Sequence, residues 1–128
     1  MAISKAYNQY KENSIFTSTP EELTFMLYNG LVKFIMQAQL AIDEKQIEKA
    51  NNSILRAQAI ISELQSTLDS KYEISENLML LYDYMNDKLI DANINKDIKI
   101  LDEVLGFAKE IRDTWSQAMK IAKKEKGA

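Results

Sequence analysis

Seven apolar residues, Ile47, Ala50, Ile54, Ala57, Ile61, Leu64 and Leu68, recur at alternating steps of three and four. A helix gathers such a set onto one face, because about 3.6 residues complete a turn. Three other stretches carry stripes of the same kind, which constrains the chain to a packing of four helices. The stripes are wider than a small bundle needs to close its own core. Leu55 and Ile60 lie outside the seam of the second stretch, and the other three show the same surplus. On a small domain, leftover apolar surface most often holds another chain.

The first helix opens at Thr19-Pro20-Glu21-Glu22, where Thr19 caps, Pro20 suits the first helical position and Glu22 completes a capping box. It runs to about residue 43. Its seam reads Leu23, Met26 or Leu27, Gly30, Phe34, Ala38 and Ala41. A second apolar set, Phe25, Tyr28, Val32, Ile35, Met36 and Ile42, marks a helix buried on more than one side. Asp43-Glu44-Lys45-Gln46 is a connector short enough to force an antiparallel neighbour. The second helix spans about 46–68 and ends at Asp69-Ser70-Lys71. A third starts between Tyr72 and Ser75, with Ser75 one candidate cap, and runs to about 92 along Leu78, Leu81, Met85, Leu89 and Ala92. Asn93 suits a left-handed helix end and Asn95 the cap of the next helix.

The fourth helix spans about 96–123, with its seam at Leu101, Val104 or Leu105, Ala108, Ile111, Trp115, Ala118 and Ala122. Ile100 and Phe107 stand to one side. The predicted fold is all-α, an antiparallel up-down-up-down four-helix bundle over 19–123. A disordered tail is expected at 124–128 and a short N-terminal arm at 1–18. In the arm, Ile3, Tyr7 and Tyr10 fall at helical spacing, yet about two turns are marginal alone in water. Docking of the tyrosines would have to order them.

Composition removes most chemistry. Among 128 residues there is no His and no Cys, so the commonest neutral-pH acid/base group, thiol nucleophiles and thiolate metal sites are all missing. Without His the di-iron site common in four-helix bundles cannot be built in its usual form, and a serine triad has no base. Three isolated glycines make no phosphate-cradling loop. The acidic pairs Glu21-Glu22 and Asp43-Glu44 sit at a helix start and in a connector, where they serve capping and solubility. The chain reads as no enzyme, and no cofactor or metal is expected. A net charge of −3 with scattered Lys and Arg offers nothing to track a nucleic acid backbone. Lys120, Lys123, Lys124 and Lys126 complement the dipole at the end of a helix. No run reaches the roughly 18 apolar residues of a membrane span, and the N-terminus lacks a signal peptide's apolar core.

Aromatics and methionines are more informative. At about 100° per residue, Tyr82 and Tyr84 point about 160° apart, so one must approach the surface or a groove. Trp115 lies in the last seam and reads as a core anchor. Six methionines suit an adaptable apolar surface.

The ordered pieces resemble one family. Ala6-Tyr7-Asn8-Gln9-Tyr10 is followed by Thr19-Pro20-Glu21-Glu22-Leu23-Thr24-Phe25-Met26-Leu27-Tyr28-Asn29-Gly30 and Ala38-Gln39-Leu40-Ala41-Ile42. Next come Ala57-Gln58-Ala59-Ile60-Ile61-Ser62-Glu63-Leu64, Glu76-Asn77-Leu78 and Leu81-Tyr82-Asp83-Tyr84-Met85. The set closes with Leu89-Ile90-Asp91-Ala92-Asn93, Leu101-Asp102-Glu103-Val104 and Arg112-Asp113-Thr114-Trp115. This collinear set is similar to the flagellar secretion chaperone (FliS) family.

The resemblance implies a four-helix chaperone of the bacterial cytosol that binds the disordered C-terminal segment of flagellin, one to one. Binding would prevent premature polymerisation and keep the client competent for flagellar type III secretion, with the export apparatus as a second candidate partner. It also implies an N-terminal arm that covers part of the groove, here through Ile3, Tyr7 and Tyr10. Stripe position then selects Leu55, Ile60, Tyr82, Met85, Leu89, Ile100 and Phe107 as groove-lining residues, with Tyr7 and Tyr10 from the arm. Met85 and Leu89 read equally well as core. The alternative is a helical adaptor whose surplus apolar surface makes a homodimer, and the free-state oligomer stays open.

Overall fold

A computed structural model describes residues 18–127. Ile3, Tyr7 and Tyr10 of the arm lie outside the described residues. Four helices follow in order: α1 (Pro20–Asp43), α2 (Ile47–Ser66), α3 (Ile74–Asn95) and α4 (Ile98–Gly127). α1 packs on α2 and α4, and α3 packs on the same two. The helices therefore form a ring in which α1 faces α3, and α2 faces α4, across the core.

Local chemistry sets the helix ends. Thr19 Oγ1 accepts from the Glu22 amide at 3.2 Å, and Pro20 takes the first position of α1. α1 closes with the Lys45 amide donating to the Ile42 carbonyl and the Gln46 amide to the Ala41 carbonyl. This paired closure requires a left-handed residue, and Lys45 takes it with φ 60°. The end of α3 differs from the sequence expectation. Asn93 stays helical because its side chain is engaged: Nδ2 donates to Asn51 Oδ1 at 2.8 Å, and Oδ1 accepts from Lys96 Nζ at 2.6 Å. Lys96 is the left-handed residue instead (φ 49°), and Asp97, not Asn95, caps α4 by accepting from the Lys99 amide at 2.9 Å. α4 continues through 124–127, where the sequence reading placed a disordered tail. No turn residue interrupts it before Gly127, and lysines suit a helix C-terminus.

The core is a continuous cluster whose largest fully buried side chains include Tyr82, Leu31, Ile35, Ile54, Ile61, Leu64, Met85 and Leu89. On α1 the buried face is Tyr28, Leu31, Val32, Ile35, Ala38 and Ala41. Of the seam read from spacing, Leu23 and Met26 are exposed. Gly30 and Phe34 turn instead toward α2: a Cβ on Gly30 would lie 3.0 Å from Ile60 Cδ1, and Arg56 covers the Phe34 ring at 5.6 Å. α1 is apolar around much of its circumference, so its two neighbours, rather than its own period, select the inner face.

A different device joins α2 to α3. Asn93 donates to Asn51 at 2.8 Å, Gln58 to Asn86 at 3.2 Å and Gln65 to Asp83 at 2.7 Å. On α2 these residues stand seven apart, two turns, so they form a polar ladder along one edge. Sliding the helices by one turn would break all three bonds together, which pins the antiparallel register.

Candidate functional site

The opposite edge of α3 is open. From α3, Ile74, Leu78 and Leu81 project at steps of four and three; from α4, Phe107, Ile111, Thr114 and Ala118 do the same. With Trp115 and Glu110 of α4 and Tyr28 of α1, they line an apolar cavity of about 490 Å³. Where α1 meets α2, Gly30 lets the backbones approach. Where α3 meets α4, Leu78 and Leu81 stand with Phe107, Ile111 and Trp115 as the bulky, apolar walls of the opening.

The cavity has a defined inner wall. Tyr28 and Tyr82 are both buried, with their hydroxyls 2.7 Å apart. Burial pushes both phenols above their ordinary range; the bond from Tyr82 partly offsets this at Tyr28 and adds to it at Tyr82. The Trp115 ring meets Tyr28 edge-on at 6.0 Å, and its Nε1 donates to the Glu21 carbonyl at 3.0 Å. This bond seats residue 115 beside the start of α1. The next two turns of α4 stay beside it, where Met119, Ala122 and Lys123 line a shallow depression with Thr19, Glu21 and Glu22. At the outer rim, Tyr84 packs edge-on against Phe107 at 6.0 Å and donates to the Glu103 carboxylate. That hydrogen bond holds the Tyr84 phenol above its usual range.

The structure does not gather the groove residues chosen from the stripes into one site. Tyr82, Met85 and Leu89 are fully buried in the core and line no open surface. Leu55 is exposed beside Ile90 and Ile94 in a shallow depression between α2 and α3. Ile60 packs against Gly30 on α1, and Ile100 lies half-buried against the core. Only Phe107 reaches the cavity. α2 and α4 stand diagonally, so residues beside their seams face different flanks of the ring. Tyr7 and Tyr10 lie outside the described residues. Leu78, Leu81, Ile111 and Trp115 were legible as seam residues but not as cavity walls. Large side chains on both facing helices, with no alanine between Ile74 and Leu81, were the available signal.

Tyr82 is inward and Tyr84 outward, which resolves the divergence of the two tyrosines. Among the described residues, no group of three or more His, Cys, Asp or Glu side chains is placed to hold a metal ion. No described helix is long and apolar enough to cross a membrane.

Comparison with known proteins agrees with this architecture. The model of the family described as "Flagellar protein FliS" matches residues 3–122. The chain is 44% identical over 126 residues to the flagellar secretion chaperone FliS of Bacillus subtilis, covering 98% of this chain and 95% of that one. Identity to the protein of the same name from Salmonella typhimurium is 32% over 117 residues, covering 88% and 87%. A solved bacterial flagellar chaperone shares the fold with a TM-score of 0.74 at 18% identity, over 91% of this chain and 97% of that one. A non-enzymatic, all-α bundle of this sequence belongs to the FliS family of flagellar secretion chaperones.

Proposed function

We propose that this protein is the cytosolic export chaperone of flagellin, holding the C-terminal segment of one flagellin molecule per chain until the flagellar type III export apparatus takes it. The observation that carries this reading is the apolar cavity between α3 and α4. Its walls are aliphatic and aromatic, and its size suits a few side chains from one face of an amphipathic helix. A client that is disordered when free must offset its ordering cost by burying extensive apolar area. Exposed Leu55, Ile90 and Ile94 on the α2–α3 edge extend the available surface, so a client wrapping around the bundle would touch both edges of α3. The names of the relatives supply the flagellar context, and binding without turnover follows from a family of chaperones.

Calorimetric titration with a peptide of roughly the last 40 to 50 flagellin residues from the same organism tests this. One-to-one binding with a large negative heat-capacity change is expected, the mark of coupled folding. Phe107→Asp should abolish binding while the helical circular dichroism stays intact. A folded wild-type protein that binds nothing would overturn the reading, and concentration-dependent mass in the same sample would favour a homodimeric adaptor.

A further inference from the structure

The tyrosine pair at the inner wall of the cavity holds more hydrogen-bonding capacity than it uses. Two phenol hydroxyls carry two donor protons, and a single Tyr–Tyr bond consumes one. Tyr28 and Tyr82 are 2% and 1% exposed, and among the described residues no further partner satisfies either hydroxyl. Tyr28 contributes to the cavity wall, whereas Tyr82 is enclosed by the core. The lower-energy arrangement has Tyr82 donating to Tyr28, because the reverse would strand the Tyr82 proton among apolar side chains. The second proton then belongs to Tyr28, the member of the pair that contributes to the cavity wall. The neighbouring indole cannot substitute for it, since Trp115 Nε1 already donates to the Glu21 carbonyl. Thr114 and Glu110 also line the cavity, but both are exposed to water.

We propose that the Tyr28 hydroxyl, held by Tyr82, is a specificity-determining donor to a docked segment. It would select a client that presents an unpaired main-chain carbonyl beside its apolar anchor, as at a helix C-terminus or a turn. Along a continuous helix every carbonyl already accepts an intrahelical bond and could take the proton only as a shared second acceptor, whereas a terminal carbonyl is free to accept it fully. The pair therefore favours a broken or terminating helix over an uninterrupted one. This rests on the client reading above.

The test uses the full chain and the same C-terminal flagellin peptide, followed by calorimetry and by fluorescence of Trp115, the chain's only tryptophan, which touches Tyr28. Tyr28→Phe should weaken binding about tenfold, the scale of one buried hydrogen bond. Tyr82→Phe, which keeps the donor but loses its positioning, should weaken it less. The double variant Tyr28→Phe/Tyr82→Phe leaves no orphaned hydroxyl, so its melting temperature should stay close to wild type while its affinity matches Tyr28→Phe. Equal affinity of wild type and the double variant would overturn the donor role and leave the client reading intact. So would a loss of affinity in the double variant that merely follows a lowered melting temperature. Absence of both heat and a Trp115 response with wild type would overturn the client reading itself, and the inference with it.

Discussion

α3 has two edges, and they are built on opposite principles. Toward α2, three side-chain amide bonds two turns apart lace the helices and fix their register. Toward α4, bulky apolar side chains on both helices line a cavity of about 490 Å³. One helix thus carries a seam laced by polar bonds that fix the register and a seam whose apolar walls leave room for another chain. The difference shows that an apolar stripe does not by itself mean core. Whether it closes depends on the side chains it meets.

Leucine truncations on α3 would break or sharpen this contrast most strongly. Leu89 is fully buried, so Leu89→Ala should cost about 3 to 4 kcal/mol of unfolding free energy in urea denaturation. Leu78 already faces open volume, so Leu78→Ala should cost only about 1 to 2 kcal/mol. Equal losses at the two positions would mean that the α4 edge is as tightly packed as the core.

Alkaline titration separates the edges next. The Tyr28 and Tyr82 phenols are held above their ordinary range by burial, while the unfolded chain releases these protons near pH 10. Above that pH the folded state binds more protons than the unfolded one, so stability falls as pH rises. Tyr28→Phe/Tyr82→Phe should flatten the decline between about pH 10 and 11 in denaturation curves. An unchanged slope would remove the pair as its source.

Removing one rung of the ladder, by Asn86→Ala, should cost about 1 kcal/mol, since Gln58 then loses its partner in a half-buried site. The smaller effects concern backbone. Lys45→Gly relieves a left-handed residue and should gain about 1 kcal/mol. Lys96→Gly should gain less, because Lys96 Nζ bonds to Asn93 and would lose that anchor. Gly106 is exposed on α4, and a Cβ there meets nothing within 4 Å. Gly106→Ala should raise the melting temperature by the helix-propensity gain of about 1 kcal/mol and leave client affinity unchanged. Weakened binding would place a client backbone against that face.

Much of the fold was legible from local signals. Thr19-Pro20 opens α1 because capping chemistry acts within one turn. The seams of α2 and α4 were readable because Ala57, Ile61 and Leu64, or Leu101, Val104 and Ala108, repeat with the helical period on otherwise polar helices. α1 was ambiguous because apolar residues cover much of its circumference. Asn93 misled because its role is a tertiary bond to Asn51, invisible to any local rule. The candidate site was the least legible. Phe107, chosen from its stripe position, lines the cavity, but Tyr82, Met85 and Leu89 share that kind of spacing and lie buried.

The sequence by itself determined the number and type of elements, the antiparallel order and the lack of His and Cys. Each depends on interactions within one or two turns or on simple residue inventory. Only the tertiary structure decided which stripes close and which remain open. That outcome depends on which side chains, distant in sequence, meet across a seam: Gly30 with Ile60, Asn51 with Asn93, and Leu78 beside Phe107 and Trp115.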